Sequence, residues 1–197
     1  LWHCLFLTVS ETDEILNYVK ENASYDFLYP MAVLAAHTGA RRSELVRSQI
    51  CDFDFTAGTV RIHEKKRVKG RRTTRIVPLS SMLVDVIQVW FAKKRPSVFS
   101  FPRELKVPRK RKTRQDEDAV SVDEATNHLE STLSGSKWEN VRGWHIFRHS
   151  FISNCAAKGI DQRMIDRWSG HQTEEMRKRY THLFPDAQRE AMSLVFG

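Results

Sequence analysis

Cysteine is scarce in this sequence. Cys4, Cys51 and Cys155 are odd in number, lie far apart and form no Cys-x-x-Cys pair. That excludes a disulfide framework and a cysteine zinc site, and predicts reduced, buried thiols in a cytosolic protein. There is no long apolar run, so no membrane span is expected. The start, LWHCLFLTVSETDEIL, has an apolar patch but neither a basic lead nor a small-residue cleavage site, and makes a poor signal peptide. No carboxylate cluster has the spacing of divalent-ion ligands, no ATP-binding motif occurs, and no internal repeat is present. Negative charge is in deficit too. Asp and Glu total 24 against 32 Lys and Arg, a net charge of +8. That balance favours an anionic partner, most commonly nucleic acid, although charge alone fits a merely soluble basic protein equally well.

What is present suffices for one good-sized domain or two small ones: 197 residues, 41% of them hydrophobic. TVSETDEILNYVKE opens with helix-start chemistry, Thr8 with Glu11 as a capping box and Ser10 with Asp13 as a looser one. Tyr25 to His37 reads as a strongly apolar helix ending near Gly39, and Arg41 to Arg47 as a short third helix. ICDFDF, GTVRIHE and TTRIVPL then alternate and are rich in β-branched and aromatic residues. They predict a small three-stranded antiparallel sheet with its first turn at Thr56-Ala57-Gly58. SSMLVDVIQVWFAKKR returns to a helix capped by Ser80 or Ser81. Pro96, Pro102 and Pro108 break the next segment, and the switch from basic to acidic in RKRKTRQDEDAVS marks a mobile loop over 103–120. Helices follow at VDEATNHLESTL, HIFRHSFISNCAAKG, DQRMIDRWSG, TEEMRKRY and PDAQREAMSLVF. The expected fold is mainly α with one small antiparallel sheet, an α+β domain.

Several residues invite chemistry, each with a plain alternative. His145 and Arg148 lie three apart on a predicted helix, hence on one face, beside an apolar stripe of Phe147, Phe151 and Cys155. Alone, His-x-x-Arg is more often a structural ion pair. Arg41 follows a glycine at a helix start, with Glu44 one turn on to hold Arg41 or Arg42. Alone, that too is more often an ordinary helix beginning. Lys65 to Arg75 holds seven basic residues and no acid, a hairpin suited to phosphates or simply a solvated turn. His171 follows Gly170, and Tyr180 stands nine residues further on.

Taken in order, HTGARRSEL, a lysine in the hairpin leading to RIVPLS, HIFRHSFIS, SGH and YTHL resemble the tyrosine recombinase (phage integrase) family. The likeness runs from about Leu7 to Leu183 and covers the family's catalytic domain. It implies that fold over 1–197 as a single domain, with 184–197 as a C-terminal tail helix. It also implies that the family's N-terminal core-binding domain is absent, the chain beginning where a catalytic domain begins. Arg41 fits the first catalytic arginine, being the third residue of Gly39-Ala40-Arg41, while Arg42 is out of register. Lys65 fits the hairpin lysine, with Lys66 a close rival. His145 and Arg148 fit the His-x-x-Arg pair, His171 the following histidine and Tyr180 the nucleophile. Ser169 stands where the family has an apolar residue, which implies a local change of packing.

The resemblance further implies a site-specific recombinase or integrase that cleaves and rejoins DNA through a 3′-phosphotyrosine link, without cofactor or metal. Double-stranded DNA is the implied partner, contacted through Lys66, Arg67, Lys69, Arg71 and Arg72. Other protomers on paired sites, in a DNA-dependent tetramer, are the second partner, and a cytoplasmic, nucleoid-associated location follows. A type IB-like topoisomerase and an inactive DNA-binding module of the same fold are the alternatives. The tail, with Ala187, Met192, Leu194 and Val195 apolar, docks either on a neighbouring protomer or on its own core.

Overall fold

The computed structural model describes residues 6–68, 71–103, 118–141 and 143–170; of residues 65–68, 71 and 72 it describes the main chain. The expected helices TEEMRKRY and PDAQREAMSLVF lie outside the described residues. So do Cys4 and residues 104–117, most of the expected loop. Its two ends are held: the Arg103 amide donates to the Asp118 carbonyl, and Arg103 pairs with Glu124 at 2.8 Å.

Helix α1 spans Val9–Asn22, and the Thr8–Glu11 box caps it, with Ser10 inside the helix. Helix α2 spans Leu28–Thr38, starting three residues later than its apolar run suggests. Pro30 supplies the reason. It has no amide hydrogen and fits only the first turn of a helix. Gly39 closes α2 in the left-handed region at φ 61°. Helix α3 is a single turn, Arg42–Leu45.

The sheet is antiparallel in the order β1 (Phe53–Asp54), β2 (Thr59–Val68), β3 (Arg71–Pro78). The expected first strand is mostly absent because Ile50–Asp52 makes a 3₁₀ turn. Asp52 holds that turn, accepting from the Gln49 amide at 2.9 Å and bonding His63 Nε2 at 2.7 Å. Strands β2 and β3 are longer than expected and run through most of the basic segment, so Lys65 sits within a strand rather than at a hairpin tip. Pairing shifts between His63↔Thr74 and Arg67↔Arg72, which places a bulge at Glu64–Lys66. Bulges re-aim side chains and recur beside active sites.

Helix α4 (Ser81–Lys93) is capped by Ser80, and α5 (Val122–Leu133) by a Ser121–Glu124 box. Helix α6 spans His145–Ala157 and α7 spans Gln162–Ser169. The main core joins α1, α2, α4 and α5 to the inner face of the sheet, Phe53, Val60, Ile62 and Val77. Ile146 and Phe147 bring α6 into it, while Ile152 and Ala156 pack on Ile165 of α7. The expected stripe on α6 is thus displaced, with Phe151 and Cys155 only half-buried. Cys51, expected to be buried, is exposed. Among the described residues no helix is long and apolar enough to cross a membrane.

Gly39 matters because α6 crosses α2 there. A Cβ at 39 would lie 2.7 Å from Phe151 Cδ1, on a backbone already at positive φ. Gly39→Ala is expected to lose at least about 1–2 kcal/mol from the left-handed conformation alone. A lowered urea midpoint at unchanged m-value checks this, and a midpoint equal to wild type contradicts it.

Candidate active site

Three helix starts or ends and the sheet bring the predicted residues together. Arg41 is the residue before α3, in extended conformation. Its guanidinium Nη1 lies 3.0 Å from Glu44 Oε1, and its amide donates to Glu44 Oε2 at 2.8 Å. A single helical turn therefore clips both ends of the arginine to one carboxylate. Arg42 Nη1 donates to Thr126 Oγ1 on α5.

Arg148 lies one turn into α6 and is 3% exposed. Its Nη1 donates to the Gly39 carbonyl at 2.7 Å and to the Ser169 carbonyl. The end of α2 and the end of α7 thus share one guanidinium. Ser169 is fully buried.

His145 opens α6 and is exposed in part. Its partial burial, then the charges of Arg148, Arg42 and Arg41, hold its pKa below the usual imidazole value. The ring is therefore neutral near pH 7 and able to accept a proton. His149 follows one turn later, its ring 6.3 Å from that of His145.

One further side chain was not anticipated. Arg75, the last cation of the basic hairpin segment, is 7% exposed. Its Nη2 donates to Glu44 Oε2 at 2.7 Å and its Nε to the Trp168 carbonyl at 2.6 Å. Its Nη1 lies 3.4 Å from Glu64 Oε1, and Thr73 Oγ1 donates to the other Glu64 oxygen at 2.6 Å. The signal lay in the alternation of TTRIVPL. Arg75 is two residues before buried Val77 and pairs with buried Ile62, whereas the intervening Ile76 is 52% exposed. Period two thus puts Arg75 on the core face.

Gly170 closes the cluster. It has φ 77°, and a Cβ there would stand 2.5 Å from Glu64 Oε1, 3.3 Å from Arg75 Nη1 and 3.5 Å from Arg41 Nη1. Only a residue with no side chain passes between these groups. Burial pushes the Glu44 pKa upward, but the hydrogen bond and charge of Arg75, with the amide and charge of Arg41, outweigh it. Glu44 is held below the usual carboxylate range and stays ionised.

Among the predicted site residues, then, Arg41 and Arg148 lie beside the Ser169–Gly170 turn, and His145 lies one turn before Arg148 on α6. Lys65 follows Glu64 in β2, and Lys66, Arg67, Arg71 and Arg72 lie along the same two strands. His171, Tyr180 and Lys69 lie outside the described residues.

A model of the phage integrase family matches residues 5–186. The chain is 28% identical over 145 residues to the tyrosine recombinase XerC of Pelotomaculum thermopropionicum, covering 74% of this chain and 46% of that protein. It is 28% identical over 167 residues to the type 1 fimbriae regulatory protein FimB of Escherichia coli, covering 84% and 78%. The chain spans about half the length of the XerC relatives it matches. Among solved structures, the Tn1549 transposon integrase in complex with transposon right end DNA superposes with a TM-score of 0.71 at 17% identity, over 98% of this chain and 66% of that one. The catalytic domain of bacteriophage HP1 integrase does so at 0.60 and 22%, over 98% and 94%. The fold is that of these integrase domains.

The depressed pKa of Glu44 sets a pH dependence. Its folded value lies below its unfolded value, so the ionised form stabilises the fold above the unfolded value. That contribution is lost as pH falls through the folded one. Wild type is expected to exceed Glu44→Gln by about 3 kcal/mol at neutral pH, since Arg75 loses its buried countercharge. Thermal melts from pH 7 downward should show the gap closing below pH about 4. A gap independent of pH contradicts this.

Proposed function

The chain belongs to the phage integrase family, and from that membership and the site's geometry we propose that it is a site-specific DNA recombinase working through a covalent 3′-phosphotyrosine. The observation that carries the reading is the convergence of Arg41 and Arg148 on the Ser169–Gly170 turn, directly before His171. Two permanently charged forks at one point suit a phosphodiester, whose pentavalent transition state gathers negative charge on its nonbridging oxygens.

In this reaction the Tyr180 hydroxyl oxygen attacks the phosphorus. The new O–P bond forms as the bond to the 5′-oxygen breaks. Lys65, or Lys66 beside it, gives the leaving oxygen its proton. The phenol proton passes to His145, which is neutral and available. Arg41 and Arg148 hold the nonbridging oxygens, and His171 adds a hydrogen bond to them. The phosphotyrosine conserves the energy of the phosphodiester, so the 5′-hydroxyl of a second strand reverses the step and no nucleotide is consumed.

The cations of the β2–β3 hairpin, Lys66, Arg67, Lys69, Arg71 and Arg72, contact backbone phosphates and position the duplex rather than read bases. Exchange needs a second site, so other protomers assemble on paired double-stranded DNA. The location that follows is the cytoplasm, at the nucleoid. The Tn1549 integrase solved with transposon DNA supports the duplex as partner.

A pool of nicked duplexes with randomised flanks, which lose a short fragment after cleavage and so trap the adduct, tests the proposal. Wild type is expected to yield a protein–DNA species that survives denaturing electrophoresis. Tyr180→Phe should yield none while still retarding DNA in a native gel. No adduct from wild type, or an equal one from Tyr180→Phe, contradicts the proposal.

A further inference from the structure

Arg75 is unusual in what it joins. It reaches α3 through Glu44, β2 through Glu64 and the last turn of α7 through the Trp168 carbonyl. Each of these leads to a residue of the proposed reaction. Glu44 holds Arg41 by both its amide and its guanidinium. Glu64 precedes Lys65 at the bulge of β2. Trp168 stands two residues before Gly170, and the neighbouring Ser169 carbonyl accepts from Arg148.

The Arg75 side chain makes no use of its charge at the surface, being 5% exposed, and the Glu44 side chain is fully buried. A guanidinium is suited to this place because its planar fork serves several acceptors in fixed directions. A lysine ammonium is a compact point charge and cannot span the same three partners. Arg41, by contrast, keeps 31% of its side chain exposed. One carboxylate thus lies between a buried arginine and a partly open one. With Oε2 fixed by Arg75, the direction of Oε1 is fixed as well, and Oε1 is the atom that Arg41 Nη1 meets.

We propose that Arg75 is a positioning residue, which aligns Arg41 for the scissile phosphate by fixing the Glu44 carboxylate against β3 and the end of α7. The inference rests on the recombinase reading given above. Arg75 touches no reacting atom and acts through Glu44. A small tilt of the carboxylate displaces the Arg41 fork, and displacement of a catalytic group by about 1 Å is enough for a rate loss near 100-fold.

The test uses the full chain and a duplex recovered from the covalent selection, in single turnover at saturating DNA. Arg75→Lys is expected to lower the cleavage rate constant by about 10- to 100-fold. The Kd for DNA should stay within about threefold, because hairpin phosphate contacts supply most of the affinity. A purely structural role would instead reduce the active fraction and leave the rate constant of the remainder unchanged. The decisive arm is the cycle with Arg41→Lys. If Arg75 acts through Arg41, Arg75→Lys in that background changes the rate by less than about threefold. Additive losses, an unchanged rate constant, or a fall in active fraction alone overturns the proposal. Should Arg75→Lys fail to fold, Glu64→Gln loosens the same fork at a more exposed partner. There a drop of about 3- to 10-fold that vanishes in the Arg41→Lys background supports it, and an unchanged rate overturns it. Absence of any adduct from wild type removes the recombinase reading and this inference together. An adduct with wild-type kinetics in Arg75→Lys removes the inference alone.

Discussion

A buried carboxylate in a protein interior needs countercharge, and Glu44 is a buried carboxylate. Leaving such a group uncompensated costs several kcal/mol, so the surrounding chain must supply cations in fixed directions. Here they are Arg75 at 2.7 Å and Arg41 at 3.0 Å. Much of the local architecture follows from that demand. Helix α3 is one turn long, enough to place Glu44 back against the Arg41 amide. Strand β3 turns a cation inward, at a position where its alternation calls for an apolar residue. The chain leaving α7 must pass these groups, and it does so at a glycine, since any side chain there would strike Glu64 and Arg75.

The same arrangement concentrates positive charge without letting the fold repel itself. Arg41, Arg75, Glu44 and Glu64 balance one another, while Arg148 is anchored by main-chain carbonyls of α2 and α7. The guanidiniums are therefore oriented before any anion arrives, which is the condition under which fixed charges stabilise a transition state best. His145 is made neutral by its partial burial and by three arginines. In the proposed reaction the same cations clamp the phosphate and leave the imidazole neutral at rest, the form that can take the phenol proton.

Helix existence was legible from capping chemistry and apolar spacing: Thr8–Glu11 and Ser80 cap as their side chains predict, and the Ser121–Glu124 box is one the structure adds. The start of α2 was misplaced because apolarity alone outweighed Pro30. The strand at ICDFDF failed because Asp52 satisfies the local amides in a tighter turn. Strand lengths failed in the opposite sense, since the charged run suggests a hairpin tip although paired main chain tolerates it. Of the proposed site, the arginine and histidine candidates came from motif order, and in the fold Arg41 and Arg148 lie beside the Ser169–Gly170 turn. Arg75 was not readable by residue type, because a lone arginine in a basic run carries no sign of burial. Only its phase with Val77 does.

In the proposed reaction this basic cluster serves a tyrosine that becomes joined to DNA through a phosphodiester. The most direct measurement is the chemistry of the attachment itself. The trapped protein–DNA species is digested with protease and nuclease, and the modified peptide is sequenced by mass spectrometry. In parallel, the short fragment released from the downstream side of the cut is tested for a 5′ end open to phosphorylation by a kinase. The expected result is a nucleotide joined through its 3′-phosphate to Tyr180, in the peptide that follows Arg179, with the released fragment carrying a free 5′-hydroxyl. Attachment at any other residue, or through a 5′-phosphate, would contradict it.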